Sequence, residues 1–270
     1  MRIVRRGRMF VEAEIEDLRV IALSDGFADM QLSAVRGPDG KSLRAKDLAD
    51  VPQRDGTLRL EVHAFLVRGP AGVLLIDAGS GTAWRATAGM LVEALTEAGV
   101  ERDEVTQIAL THTHVDHIGG LVGADGAPTF PNALRIFVPT EELGMFRDER
   151  RMAAVLDRVM PLEQGDGPIA GVVAVNAPGH EAGHMAFLVE GRLLIWGDLV
   201  HVPSLQFGRP EMTWEFDADP GLAAKTRVAL FERAVEAGLM VAGAHLDFPA
   251  MGHLRRADGG YAFSPIGSQV

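Results

Sequence analysis

The chain contains no cysteine. That removes disulfides, thiolate nucleophiles and cysteine metal ligands, and it suits a reducing compartment. Any metal site must then be built from His, Asp and Glu. No segment supplies the ~18 uninterrupted apolar residues of a membrane span. The basic start, MRIVRRGRMF, runs into the charged VEAEIEDLRV and lacks the apolar stretch of a signal peptide, so a cytoplasmic protein is expected. Basic residues are sparse: 26 Lys and Arg against 37 Asp and Glu, a formal net charge of −11. Nucleic-acid binding relies on cationic side chains neutralising phosphates, so no nucleic-acid partner and no membrane partner is expected. Arg2, Arg5, Arg6 and Arg8 read as a solvated tail, and Arg255-Arg256 as a solvated turn.

What is present is histidine, concentrated. Of nine histidines in 270 residues, three fall with one aspartate inside THTHVDHIGG, at His112, His114, Asp116 and His117. No packing or capping need accounts for four such residues in six positions. The cluster follows a short apolar run, Val105 to Leu110, and the arrangement recurs. Val172–Asn176 precedes His180 and His184. Leu193–Trp196 precedes Asp198 and His201. Leu239–Ala242 precedes His245. If these strand ends share one sheet edge, their polar groups converge.

The remaining pattern reads as follows. A strand covers 18–23 and is closed by the turn Ser24-Asp25-Gly26, an irregular excursion covers 27–56, and a hairpin pairs 59–67 with 73–76. Helices are expected over 87–98, 141–159 and 220–236, with further strands at 135–138 and 185–189. Because the strands come in hairpins, facing sheets under outer helices are favoured over a doubly wound parallel sheet.

Imidazole and carboxylate suit borderline divalent metals. In an extended segment His112 and His114 point to one side, while Asp116 and His117 project differently and reach a second ion. Six to seven ligands exceed the needs of one tetrahedral zinc but fit two ions, which lie roughly 3.5–4 Å apart in two-metal hydrolytic sites. Asp198 has two oxygens and can bridge them. His184 reads as a supporting or turn-forming residue, His63 as structural, and His201 and His253 as open between pocket and surface. Phe27, Met30, Leu32, Phe207, Phe248 and His253 are the candidate lining of a substrate pocket.

HTHVDH, PGH, GD and AH, in that order after LLIDAGSG, resemble the metallo-β-lactamase superfamily over about residues 62–253. The resemblance implies an α+β fold, an αββα four-layer sandwich of two facing mixed sheets with outer helices. Residues 1–270 would form one such domain, 1–56 being an N-terminal strand and pocket-lining extension. It implies His112, His114 and His180 on one ion, Asp116, His117 and His245 on the other, Asp198 bridging, and Asp77 supporting the shell. Two divalent ions per chain are implied, zinc first, with Mn, Co or Fe compatible.

LSDGFADM, FDADPGLAAKTR and AHLDFPAMGH resemble the branch of N-acyl-homoserine lactonases and methyl parathion hydrolase. That implies a small-molecule ester, lactone or phosphotriester substrate, water activated by the ions, Asp116 as proton carrier, and a homodimer. The alternatives are a non-catalytic metal-containing binding protein and an iron-dependent persulfide dioxygenase of the same fold. Two departures stand out: Glu181 and Ala182 replace the Thr and Pro of PGHTPGH, and His201 stands where many lactonases have a Tyr facing the substrate carbonyl. The expected role of His201 is to orient that oxygen.

Overall fold

The structure is a computed structural model and describes residues 2–49 and 51–267. Its strands are β1 (Arg2–Arg6), β2 (Phe10–Ile15), β3 (Leu18–Gln31), β4 (Val35–Arg36), β5 (Thr57–Gly69), β6 (Gly72–Ile76), β7 (Gln107–Ala109), β8 (Arg135–Pro139) and β9 (Val159–Leu162), then β10 (Val172–Asn176), β11 (Met185–Val189), β12 (Leu193–Ile195), β13 (Thr213–Trp214), β14 (Met240–Ala242), β15 (Met251–Ala257) and β16 (Gly260–Pro265). The first sheet runs β1-β2-β3-β5-β6-β7-β8-β9 and the second β10-β11-β12-β14-β15-β16, with β4 and β13 forming a small ribbon. Both large sheets are mixed: β6 to β9 pair in parallel, as do β12 and β14, and the other pairs are antiparallel. This is the expected α+β arrangement of two sheets with helices.

Side chains alternate across a strand, and the first sheet uses both faces. Val20, Ala22, Leu74 and Ile76 join Phe187, Leu193 and Ile195 of the second sheet in one core. Ile21, Leu23 and Leu75 point the other way, under α1 (Leu91–Glu97) and α3 (Leu143–Asp148). The long helix α4 (Pro220–Glu236) starts at Asp219, whose carboxylate accepts the Leu222 amide. It packs on the second sheet through Phe231, whose ring lies 5.4 Å from Trp196.

Several expectations need correction. The strand expected to end at Leu23 continues to Gln31, because a bulge between Ser24 and Gly26 absorbs the turn residues and pairing with β5 resumes beyond it. The basic start is solvated but is no tail: Arg2 and Arg5 are exposed on strand β1 and pair with Glu14 and Glu12 of β2. Arg255 and Arg256 lie in β15, not in a turn. The helix expected over 87–98 begins only at Leu91, and the one over 141–159 breaks into α3 between 3₁₀ turns. Among the described residues no helix is long and apolar enough to cross a membrane.

Candidate metal centre

Parallel pairing decides where the site forms. Ile76 of β6 is level with Ala109 of β7, and Ile195 of β12 with Ala242 of β14. Asp77 therefore emerges beside the loop carrying His112, and Asp198 emerges beside His245. The short helix α2 (Val115–Ile118) turns Asp116 and His117 inward. Close packing permits this only with glycine: a Cβ on Gly120 would lie 2.0 Å from the Ala78 carbonyl oxygen.

The seven expected ligands come together. Donor atoms of His112, His114, His180 and Asp198 all lie within 4.8 Å of one another, as do those of Asp116, His117 and His245. Asp198 sits between the groups. Its Oδ1 is 3.0 Å from His117 Nε2, and its Oδ2 is 3.0 Å from His245 Nε2 and 3.4 Å from His180 Nε2. Asp116 Oδ2 is 3.7 Å from both His117 Nε2 and His245 Nε2.

The outer nitrogen of every ring is engaged. His117 Nδ1–H donates to Asp77 Oδ2 at 2.8 Å, His180 Nδ1–H to Asp217 Oδ1 at 3.0 Å, and His245 Nδ1–H to the Glu61 carbonyl at 2.6 Å. His114 Nε2–H donates to Glu181 Oε1 at 2.9 Å. The Thr111 hydroxyl gives its proton to Asp77 and accepts from His112 Nδ1–H at 3.1 Å. With the outer nitrogens protonated, the inner ones carry lone pairs. His114 Nδ1 then faces His180 Nε2 across 3.0 Å, acceptor against acceptor. With those rings neutral, the same conflict holds between Asp198 and both His117 and His245. His112 Nε2, His117 Nε2 and Asp198 Oδ1 are buried without a hydrogen-bond partner. Cations between these atoms resolve every conflict, so the donor set fits divalent metals and the backing groups are those that metal-binding histidines use.

The electrostatics divide the rings. Burial would lower His114, His117 and His245, but Asp198 with Asp116, and Glu181 beside His114, hold all three above their ordinary values, so these rings attract a proton that a divalent cation among them would displace. Burial would raise the Asp198 pKa, but His117, His245 and His112 hold it well below the usual carboxylate range. Burial first, with neighbouring imidazoles, pushes His112 well below its ordinary value, and burial lowers His180, His184 and His201 to about 4. These rings are neutral at pH 7, as metal ligands must be.

His184 donates Nδ1–H to the Ala177 carbonyl, and its Nε2 accepts the Asp198 amide at 3.0 Å. It supports Asp198 from behind. His201 is buried and stacked between Trp214 (5.1 Å, 8°) and His245 (5.2 Å, 26°), with Nε2 3.3 Å from Asp198 Oδ2. Its Nε2 therefore faces the Asp198 carboxylate, and the ring lines the cavity over the cluster.

A cavity of about 250 Å³ opens over the cluster. Of the expected pocket residues only Met30 lines it, with His201 beside the ligands. Phe27 lies on the opposite face of β3, one residue out of phase with Ala28 and Met30, with the Arg59 guanidinium 3.6 Å from its ring centre. Leu32 packs in the satellite cluster beneath the pocket wall. Phe207 is buried core, stacked on Phe263 at 5.1 Å. Phe248 stacks on His63. His253 is exposed opposite Met240, at the start of β14, whereas the site lies past that strand's end. The walls that sequence reasoning missed are Leu60, Trp84, Arg85, Val115, Trp214 and Phe216. Asp217 and Glu61 were also missed as backing groups, although Asp217 sits in the FDADPG stretch.

Residues 58–245 match the family described as the metallo-β-lactamase superfamily. An atrochrysone carboxyl ACP thioesterase of Pseudocercospora fijiensis is 25% identical over 176 residues, 64% of this chain and 47% of the relative. An N-acyl homoserine lactonase of Bacillus thuringiensis is 32% identical over 103 residues, 37% of this chain and 39% of that protein. The chain thus spans about half or less of the curated relatives it matches. Among solved structures, AbOPH, a hydrolase in the β-lactamase superfamily, is 27% identical with a TM-score of 0.84, covering 98% of this chain and 100% of that one. AidC, a dizinc quorum-quenching lactonase, shares the fold with a TM-score of 0.84 at 21% identity, covering 97% and 99%. The fold, the order of the His and Asp motifs and the match over most of its length together place this chain in the metallo-β-lactamase superfamily.

Proposed function

We propose that the protein is a dinuclear-metal-dependent hydrolase that opens lactones or cleaves carboxylic esters of small molecules. The observation that carries this reading is the set of inward lone pairs opposed at 3.0 Å, each backed by a hydrogen bond on the far side of its ring. His112 Nε2, His114 Nδ1 and His180 Nε2 would hold one ion, Asp116, His117 Nε2 and His245 Nε2 the other, and Asp198 both. When bound, zinc or a first-row relative supplies Lewis acidity and lowers the pKa of water toward about 7.

The chain's own residues do the rest. Asp116 lines the cavity beside His117 and His245 and is placed to take a proton from the attacking water and return it to the leaving group. Neutral His201 packs against the bridging carboxylate and fixes its direction. Met30, Leu60, Val115 and Trp214 exclude water and accept the apolar part of the substrate.

A second reading, an aryl ester or organophosphate triester as substrate, is favoured by the aromatic walls Trp84, Trp214 and Phe216 around so small a cavity. The test is to strip the protein with a chelator, reload it with Zn, Mn, Co or Fe, count metal per chain, and assay N-acyl-homoserine lactones, aryl esters and phosphotriesters. Two ions with ester or lactone hydrolysis are expected. Two bound ions with no hydrolysis of any of these substrates would refute the reading, and a single iron with oxygen uptake would select a dioxygenase.

A further inference from the structure

The loop PGHEAGH, residues 178–184, carries one side chain that the proposed reaction does not use, Glu181. Its Oε1 lies 2.9 Å from His114 Nε2, and the carboxylate is only 18% exposed. His114 is the one metal-facing histidine that is not buried: His112, His117, His180 and His245 are closed in by the fold, whereas the His114 side chain is 35% exposed. Packing fixes the other four rings. For His114 the carboxylate is what holds the ring and selects its tautomer, since an acceptor at Nε2 keeps the proton there and leaves the lone pair on Nδ1. Nδ1 is the atom 3.0 Å from His180 Nε2.

Glu181 is itself firmly held. Its backbone carbonyl accepts from the amides of Gly179 and His184. Two residues on, the Gly183 amide donates to Glu142, whose other oxygen accepts both the amide and hydroxyl of Thr113. Glu142 thus ties the loop bearing Glu181 to the loop bearing His114. A Cβ on Gly183 would lie 2.6 Å from Glu142 Cγ, so glycine is what lets the two loops approach.

We infer that Glu181 is a positioning residue for one of the two ions: it orients His114 and selectively tightens the ion shared by His112, His114 and His180. This rests on the two-ion reading above. Glu181 faces the outer nitrogen and is not a ligand.

The test uses the full chain loaded with zinc, titrated against a chromophoric chelator so that two dissociation constants are resolved, together with thermal unfolding of the metal-free protein. In Glu181→Thr one constant is expected to rise by about 10–100-fold, the range for loss of a metal-backing partner, and in Glu181→Gln, whose amide oxygen still accepts from His114 Nε2–H, by less. The second constant and the metal-free unfolding midpoint stay at wild-type values. Unchanged constants in both variants overturn the inference. So does an equal weakening of both ions, which marks a general loosening of the loops. A wild-type protein that takes up fewer than two ions overturns the two-ion reading and this inference with it.

Discussion

Asp25 offers the sharpest test of how the pocket wall is held. It lies in the β3 bulge, completely buried, and its carboxylate accepts four hydrogen bonds. Oδ2 takes the Ser80 amide (2.9 Å), the Ser80 hydroxyl (2.7 Å) and the Gly89 amide (3.1 Å), and Oδ1 takes the Leu91 amide (2.9 Å). Asp25→Ala leaves three backbone N–H groups without acceptors. At about 1–3 kcal/mol for each buried orphan the loss is about 3–9 kcal/mol. Two effects offset part of this. The carboxylate itself is costly to bury, and burial raises its pKa despite the four donors. Water can also enter the vacated space. A net destabilisation of about 3–5 kcal/mol is therefore expected. Asp25→Asn keeps the volume but turns an NH₂ toward N–H donors, so it should lose at least half as much. Denaturant unfolding at fixed metal concentration measures the change, read from the midpoint at constant slope. Residues 82–88 carry Trp84 and are anchored here and by Thr87, whose hydroxyl donates to the Phe27 carbonyl. KM should therefore rise while metal content stays at wild type. A stability loss below about 1 kcal/mol would show that these hydrogen bonds do not secure the segment.

Asp77→Asn keeps an acceptor for the Thr111 amide but can place an NH₂ against His117 Nδ1–H, which pushes that proton to Nε2 and blocks ligation. Asn tolerates the positive φ of 60° at this position, so the fold should survive while zinc retention, read by chelator competition, weakens about 10–100-fold. Buried Arg227 donates Nε–H to the Leu199 carbonyl and Nη1–H to the carbonyls of Pro210 and Met212. Arg227→Met should cost about 2–4 kcal/mol through orphaned carbonyls, with proteolysis appearing in 199–212; an unaltered digestion pattern would contradict that role. Chelation should lower the thermal midpoint, because an ion at 1,000 times its dissociation constant contributes about 4 kcal/mol; an unchanged midpoint after complete metal removal would contradict it.

How legible was this in the sequence? The ligand cluster was, because HTHVDH is local and four such residues in six positions have no structural use. The strand ends carrying His180, Asp198 and His245 were also legible, since short apolar runs flanked by glycine read the same way in any context. The pocket was not. Phe27 and Met30 are three residues apart and look equivalent in a row of letters, yet an odd separation along a strand places them on opposite faces, and only the register with β5 says which faces the site. Phe207 looked exposed to substrate because nothing local reveals that Phe231 and Phe263 lie on either side of it. Trp84 and Phe216 reach the cavity from loops whose paths depend on partners far away in the chain. Asp25 read as a turn former because Ser-Asp-Gly is one; in the fold that same triplet makes the bulge.

Buried carboxylates are the device common to the whole site end of the molecule, and each pins together segments far apart in the chain. Asp25 ties β3 to the segment after β6. Asp77 joins the end of β6 to Thr111 and His117. Glu142 joins Thr113 to Gly183, and Asp217 joins His180 to the Trp214 amide. Loops carry backbone N–H groups with no ladder partner, and each of these carboxylates satisfies between one and three of them. The formal charge of −11 is therefore a poor guide to the surface, because these side chains are counted in it but face inward. The same arrangement explains why the site tolerates so many opposed lone pairs. The acceptor atoms are fixed by anchors on their outer sides, so they cannot relax away from one another, and the rigidity that leaves them opposed also leaves cations as the occupants that remove the conflict.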